Sequence, residues 1–314
     1  MNYKMKLPEE AEKGEHGELD MKVNKKNVIR GDTIKGEVNL TVKESLQNCI
    51  LRINFIGQEC SEISKGGSTV MDKRDIFPPE EITPINNVAC ETGSTYKHEY
   101  KFTLPDGLPA SFEDESEKSK GSIFYIVLVT FKAAGKNDLV TWRQLVVRET
   151  FPKKEMADQT DEGDISGYCC NNKGHLKVSC MIESLATITK VDNRIGGKAE
   201  VDNSGCKYKI TSLNAKLLQR VYMQAKNREN VYDDIIVEWD LGQVEASQNT
   251  SIPFKVEVPY NKKFESLASS TTGKLIRREY FIEILPKYDT SSCGIPKINI
   301  KLAIENLRTY KEKD

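Results

Sequence analysis

Hydrophobic side chains in this chain recur at every second position, and that period constrains the fold more than any other feature. In Tyr96-Lys97-His98-Glu99-Tyr100-Lys101-Phe102-Thr103-Leu104, one face reads Tyr, His, Tyr, Phe, Leu and the other reads Lys, Glu, Lys, Thr. A strand turns successive side chains to opposite faces, so this is the pattern of a half-buried strand. Ile252, Phe254, Val256 and Val258 alternate in the same way, as do Ile298, Ile300, Leu302 and Ile304. Ile276, Tyr280, Ile282 and Ile284 share a face, opposed by Arg277, Glu279 and Glu283. Ile123 to Phe131 is apolar on both faces and reads as a central, covered strand. No long stretch repeats with a helical period. The expected class is therefore all-β, with one-sided strands packed as face-to-face sheets.

The 314 residues are enough for two ordinary domains. Basic and acidic side chains nearly cancel, 46 against 47, which argues against a dedicated nucleic-acid binder. With 38% hydrophobic residues and almost no net charge, the chain is not expected to be disordered. Its longest apolar run, Ile123 to Val129, is too short to cross a bilayer. The opening M-N-Y-K-M-K-L-P-E-E lacks the apolar segment of a secretory leader, so a cytoplasmic location is expected.

Breaks in composition divide the chain. Residues 1–18 are acidic and poor in core candidates, and read as a flexible tail. Residues 19–150 form a first domain, 151–166 an acidic aperiodic linker, and 167–314 a second domain. Residues 113–120 read as a charged loop between two strong strands. A faint repeat supports two related halves. Ile34-Lys35-Gly36-Glu37-Val38-Asn39-Leu40 matches Ile195-Gly196-Gly197-Lys198-Ala199-Glu200-Val201 as I-x-G-x-[VA]-x-[LV].

One segment is more specific. Tyr100-Lys101-Phe102-Thr103-Leu104-Pro105-Asp106-Gly107-Leu108-Pro109-Ala110-Ser111-Phe112 resembles the F-x-F-x-L-P-x-x-L-P-x-S-F segment of the arrestin family. Gly121-Ser122-Ile123-Phe124-Tyr125 continues it as G-x-I-x-Y. Upstream, Gly31-Asp32-Thr33-Ile34-Lys35-Gly36-Glu37-Val38 is similar to that family's G-[DE]-x-[IV]-x-G-x-V. Leu51 to Gly57 looks like the strand that follows, and Val201-Asp202-Asn203-Ser204 resembles the N-x-S segment that opens the second domain. The likeness covers about residues 19–305 and is greatest to the α-arrestin branch. It implies two tandem immunoglobulin-like arrestin-type β-sandwiches. The physics of the proline segment stands by itself: Pro105 and Pro109 have no N–H to donate, so the strand must end at Leu104. Leu108 and Phe112 are then free to tuck back against the sheet, with turns at Gly107 and Ser111.

The resemblance implies a cytosolic adaptor or scaffold without enzymatic activity, one that docks cytosolic tails of membrane proteins and directs their trafficking or endocytosis. Peripheral association with endosomes or the plasma membrane would follow. Ubiquitin-ligase or coat components are the further partners of such adaptors. The P-P-x-Y motif that recruits ligases in many α-arrestins has no counterpart, since Pro78-Pro79 is followed by Glu80-Glu81. A retromer-type sorting subunit shares the fold and is one alternative. A secreted β-sandwich ligand-binding module is another, and would need secretion and disulfides.

Site chemistry is sparse. Met21 to Arg30 holds four positive charges and no negative ones; Met21 and Val23 read as core, which leaves Lys25, Lys26 and Arg30 around the following loop. These three are the candidate contacts for acidic or phosphorylated cargo, against the commoner reading of a solvated face. Basic residues of this early strand meet receptor phosphates in visual and β-arrestins. Cys169, Cys170, His175 and Cys180 are the densest group of metal-ligand types, but the spacing is not a standard zinc pattern. Leu176, Val178, Cys180 and Ile182 alternate, which turns Cys180 inward and His175 outward. His98 lies between Tyr96 and Tyr100 and reads as a core or groove histidine. No nucleophile–base pair, metalloprotease motif or nucleotide-binding glycine run is present, and neither cofactor nor metal is expected. Eight dispersed cysteines without a leader read as free thiols of a reducing compartment. Thiol titration of the denatured, unreduced protein should find all eight, and recovering two or more native disulfides would overturn the cytoplasmic expectation.

Overall fold

Alternating burial along each strand dictates the architecture. The structure is a computed structural model that describes residues 12–148, 155–167, 172–184, 194–258, 269–288 and 292–302. Among them there is no helix. The strands of the first half are β1 (Glu12–Lys13), β2 (Gly17–Val23), β3 (Asn27–Ile29), β4 (Thr33–Val42), β5 (Leu46–Lys65) and β6 (Ser68–Asp75). They continue with β7 (Glu80–Cys90), β8 (Thr95–Thr103), β9 (Phe112–Glu115), β10 (Ser119–Lys132) and β11 (Leu139–Arg148). The second half runs β12 (Glu155–Gly167), β13 (Asn172–Ser184), β14 (Arg194–Asp202), β15 (Ile210–Ala225) and β16 (Arg228–Asp240). It ends with β17 (Asn249–Glu257), β18 (Thr271–Thr272), β19 (Ile276–Tyr288), β20 (Ser292–Cys293) and β21 (Ile298–Leu302).

Two compact units result. The first holds Met1–Glu149 with the short segments Met223–Glu229 and Thr272–Ile276, and the second holds Thr150–Tyr222, Asn230–Thr271 and Arg277–Asp314. In the first unit a four-stranded sheet, in the order β1-β2-β4-β8, faces a sheet in the order β3-β11-β10-β5-β6, with β7 also on β5 and β9 on β10. Leu19, Met21, Ile34, Val38 and Leu40 come from one sheet and Leu51, Ile53, Phe55, Val127, Val129 and Phe131 from the other, all essentially inaccessible to water. The Phe55 and Phe102 rings, one from each sheet, lie 5.7 Å apart. Each such large side chain stabilises the fold by roughly 1.5–3 kcal/mol relative to exposure.

The proline segment behaves as its chemistry requires. β8 stops at Thr103, and Leu104, Leu108 and Phe112 are buried beyond it. Gly107 takes a φ of 76°. The Tyr125 hydroxyl donates to the Pro109 carbonyl at 2.6 Å, an acceptor that tethers the loop to β10. Ser111 ties the same loop to β11: its hydroxyl accepts from the Val147 N–H at 3.0 Å and its own N–H donates to the Val147 carbonyl. The charged stretch 113–120, expected as a loop, is the β9–β10 hairpin. Its charges are spent on one side of the ladder, where Lys120 meets Glu115 at 2.5 Å.

In the second unit, β17-β14-β13-β12-β20 form one sheet and β16-β15-β19-β18 the other, with β21 on β19. Leu176, Val178, Cys180 and Ile182 from β13, with Ile195, Ala199 and Val201 from β14, pack against Leu213, Leu217, Tyr280, Ile282 and Ile284 of the facing sheet. One expectation is corrected here: the stretch 151–166, read as a linker, is strand β12 from Glu155 onward, paired along its length with β13. Its inward positions hold Gln159 and Asp161 in place of apolar residues, so no hydrophobic period shows. Those two side chains accept backbone N–H bonds from Asn299 and Lys297 at 2.8 Å, supplying with polar atoms what a hydrophobic contact supplies elsewhere.

Beyond Gly57 the inward row of β5 turns polar at Glu59 and Ser61 before Ile63. Glu59 is only 2% exposed, and its carboxylate accepts the backbone N–H groups of Lys274, Leu275 and Ile276 at 2.7–2.9 Å. All four residues belong to the first unit. Consecutive N–H groups aimed at one anion make a backbone nest. Gly273 is required there, because a Cβ would stand 2.1 Å from a Glu59 carboxylate oxygen. Burial raises the Glu59 carboxyl above its ordinary value, against the pull of the three N–H donors and Arg74. A raised native pKa means that folding favours the protonated form. The linked stability is therefore full below the ordinary glutamate pKa and is lost as pH rises through the native one. In paired urea melts, the stability of the wild type relative to Glu59→Gln should fall as pH rises above the ordinary glutamate pKa. A difference that stays flat or grows with pH would show that the N–H donors outweigh burial.

Candidate functional site

The basic segment expected from the sequence is a crossover between sheets. β2 leaves its sheet at Val23, and Asn24 ends that pairing: its side chain accepts the Lys35 N–H at 3.0 Å and its own N–H donates to the Lys35 carbonyl. Lys25 and Lys26 bridge the gap. β3 then joins the other sheet in parallel with β11, Asn27, Val28 and Ile29 opposite Val146, Val147 and Arg148. Val28, 1% exposed, is the anchor, and the Lys26 carbonyl accepts the Val146 N–H at 2.8 Å.

The three candidate charges are not equivalent. Lys25 is in an ion pair with Asp32 at 2.7 Å. Asp32 also accepts the Ile29 N–H at 2.8 Å, which closes the tight turn through Arg30 and Gly31, where Gly31 has a φ of 78°. Lys25 and that N–H together hold the Asp32 carboxyl below the usual carboxylate range. Lys26 and Arg30 are half-exposed, and among the described residues Lys26 is in no ion pair. The loop is thus a basic corner in which Lys25 is paired within the fold.

A second basic group lies beside it, spread over β2, β4 and β8. Lys22, Lys35 and Lys101, with Asn24, Glu37, Glu99, Ile82 and Tyr100, line a cavity of about 760 Å3. Its floor is fixed, because the Tyr100 hydroxyl donates to the Lys22 carbonyl at 3.0 Å, and Gly36 is the residue over which that ring passes. Burial pushes the Tyr100 hydroxyl well above its ordinary pKa, so it remains a donor at any physiological pH. Sequence reasoning missed this cluster because Lys35 and Lys101 meet only through strand pairing. Lys22 was legible from the alternation that buries Met21.

Other chemistry-bearing residues are accounted for by structure. Cys49 and Cys180 are buried thiols that desolvation pushes up to about 11 and about 12, too high for nucleophiles. The six cysteines among the described residues are all free; Cys169 and Cys170 lie outside them. Cys180 points inward, while His175 is exposed and 2.9 Å from Asp164. His98 is half-buried and burial lowers its pKa, which keeps it neutral. Among the described residues no group of three His, Cys, Asp or Glu side chains could hold a metal ion. In the second unit the Asn203 side chain is fully buried; it donates to the Tyr208 and Glu245 carbonyls and accepts from the Tyr288 hydroxyl at 3.2 Å. These bonds fix the connection from β14 to β15, which lie in different sheets.

Residues 192–306 match the family model described as arrestin (or S-antigen), C-terminal domain. The second half of the chain thus matches an arrestin C-terminal domain. No curated protein matches it. Asp32→Ala should cost about 1 kcal/mol in chemical denaturation by removing the Ile29 acceptor and the Lys25 pair. Because the native Asp32 pKa is depressed, that margin should be present above the ordinary aspartate pKa and vanish as pH falls through the native value.

Proposed function

We propose that this protein is a non-enzymatic arrestin-type adaptor of the α-arrestin kind, which binds cytosolic segments of membrane-protein cargo and directs their trafficking or endocytosis. It works in the cytoplasm and meets membranes only peripherally. The observation that carries the reading is the arrestin C-terminal domain at 192–306. Two features agree with it: no helix among the described residues is long and apolar enough to cross a membrane, and the Cys49 and Cys180 thiols are buried. Lys26 and Arg30, with Lys25 held by Asp32, form the basic corner toward acidic or phosphorylated tails.

Exposed ion pairs contribute only about 0–1 kcal/mol each, so the three charges act together or not at all. Changing Lys25, Lys26 and Arg30 to Gln should weaken binding of the full chain to a phosphorylated cytosolic tail peptide. Wild-type binding should weaken with added salt, and the melting temperature should change little, in part through the loss of the Lys25–Asp32 pair. Undiminished affinity in the triple variant would make the corner a solvated face. Failure of the wild type to bind any cytosolic tail of a membrane protein, phosphorylated or not, would overturn the adaptor reading.

A further inference from the structure

Two hairpin tips meet within the first unit. β5 and β6 are joined by Gly66 and Gly67, with φ of 60° and 75°, and Lys65 pairs with Ser68 at the last rung. Residues 65–69 are exposed, and a Cβ on either glycine would meet nothing within 4 Å. The other tip, Lys226 and Asn227 between β15 and β16, lies in the segment Met223–Glu229 of the same unit. Lys226 has a φ of 54°, and its N–H donates to the Asp72 carboxylate at 3.4 Å.

From that second tip Arg228 forks onto Ser68. Its Nη1 donates to the Ser68 carbonyl at 2.7 Å and its Nη2 to the Ser68 hydroxyl at 2.7 Å. Nη1 is also 3.5 Å from the Lys65 carbonyl. All three acceptors are neutral. Among the described residues Arg228 is in no ion pair, and Asp72 is already paired with Arg74 at 3.9 Å. A guanidinium binds most strongly where two of its N–H groups meet the oxygens of one carboxylate or phosphate. Here the fork is in place around a serine hydroxyl, but the anion it suits is not. A phosphate carried on that hydroxyl would supply it.

The same serine is open to an enzyme. A glycine tip with few contacts belongs to the part of a fold that opens locally at low cost, which a kinase needs in order to take its substrate in extended form. Lys65, three residues before Ser68, is the basic residue that an acidic kinase cleft reads.

We propose that Ser68 is a phosphorylation site for a serine kinase that reads a basic residue three positions before its target, and that Arg228 binds the phosphate. In the transfer, the Ser68 hydroxyl oxygen bonds to the γ-phosphorus of Mg-ATP as the bond from that phosphorus to ADP breaks. The hydroxyl proton leaves to the kinase's base. The Ser68 hydroxyl gives up its own donation to the Lys65 carbonyl at 3.2 Å, and gains charge-assisted bonds from Arg228 in return. A contact between two tips that now uses only neutral acceptors becomes a charged clamp, and the β5–β6 tip turns from basic to acidic. The proposal stands apart from the adaptor reading, since it rests on the geometry of the two tips alone.

The test has two parts. The full chain, treated with a protein kinase C catalytic fragment and Mg-ATP, should take phosphate at Ser68, located by peptide mass spectrometry, and Lys65→Gln should slow that transfer several-fold. For the clamp, phosphoserine is installed at position 68 of the full chain during translation and titrated by phosphorus NMR. Its second pKa, ordinarily about 6, should be lower in the otherwise wild-type chain and return to the ordinary value in Arg228→Gln. Arg228→Lys, which keeps the charge but not the fork, should keep part of the lowering. The phosphorylated chain should melt about 2 °C above the unmodified one, a gain that Arg228→Gln should abolish. A Ser68 that the kinase leaves unmodified, or a phosphoserine whose titration and effect on melting are the same with and without Arg228, would each overturn the proposal. Neither result would touch the adaptor reading, which is tested by the binding of cytosolic tails.

Discussion

The long antiparallel pairing of β5 with β10 sets the register of the first unit. It runs unbroken from Ile50 opposite Lys132 to Ile63 opposite Ser119. Leu51, Ile53 and Phe55 face Phe131, Val129 and Val127 across it, so one ladder supplies the centre of the core. A one-residue slip would turn every one of those side chains outward, and that makes this pairing the most strongly specified in the unit. Its other features hang from the same ladder. Tyr125 reaches the Pro109 carbonyl from it, β11 and β6 extend it on either side, and Glu59 is buried by its inward row. Once apolar partners give out along that row, a carboxylate can be buried only where donors already wait for it, and the 274–276 backbone provides them.

What was legible in the sequence follows from which partner a residue needs. Alternation is a local property, so strands such as β8, β17 and β21 could be read from one segment alone. The faint repeat also had a physical cause. Gly36 and Gly197 occupy the same place in it, and each is where a ring from the next strand lies across the chain. A Cβ at Gly36 would stand 2.2 Å from the Tyr100 hydroxyl oxygen, and one at Gly197 would stand 2.7 Å from Phe254. Both are inward glycines on a strand flanked by an aromatic-bearing neighbour, β8 in one unit and β17 in the other. Strand β12 was illegible for the converse reason. Its inward Gln159 and Asp161 are explained only by the backbone of β21, which lies far along the chain.

The candidate site divides along the same line. The run Lys25, Lys26 and Arg30 is dense enough in sequence to be noticed, yet its density overstates its free charge, because the turn that exposes it also delivers Asp32 to Lys25. Lys35 and Lys101 are unremarkable residues of two amphipathic strands until the register places them opposite each other. Chain proximity therefore found one basic cluster, and strand pairing made the other.

Neutralisation is the general condition of this surface, and it bears on how a chain with a net charge of -1 selects a partner. On the second unit's β15–β19 face, Glu279 is shared by Arg277 and Lys301, and Glu238 by Lys216 and Lys287. Arg220 is held by both oxygens of Asp233 at 2.6 Å, and Arg277 lies over the Tyr222 ring at 3.9 Å. Charges already paired within the fold attract little from solution, since a new partner must first displace the old one. With almost no net charge, long-range steering is weak as well, and at physiological salt it is screened beyond about 8 Å. Discrimination must then come from short-range contacts at the few places where the fold leaves like charges facing each other or a strand edge unpaired. In the first unit β4 and β8 set Lys35 opposite Lys101 and, one pair along the same face, Glu37 opposite Glu99.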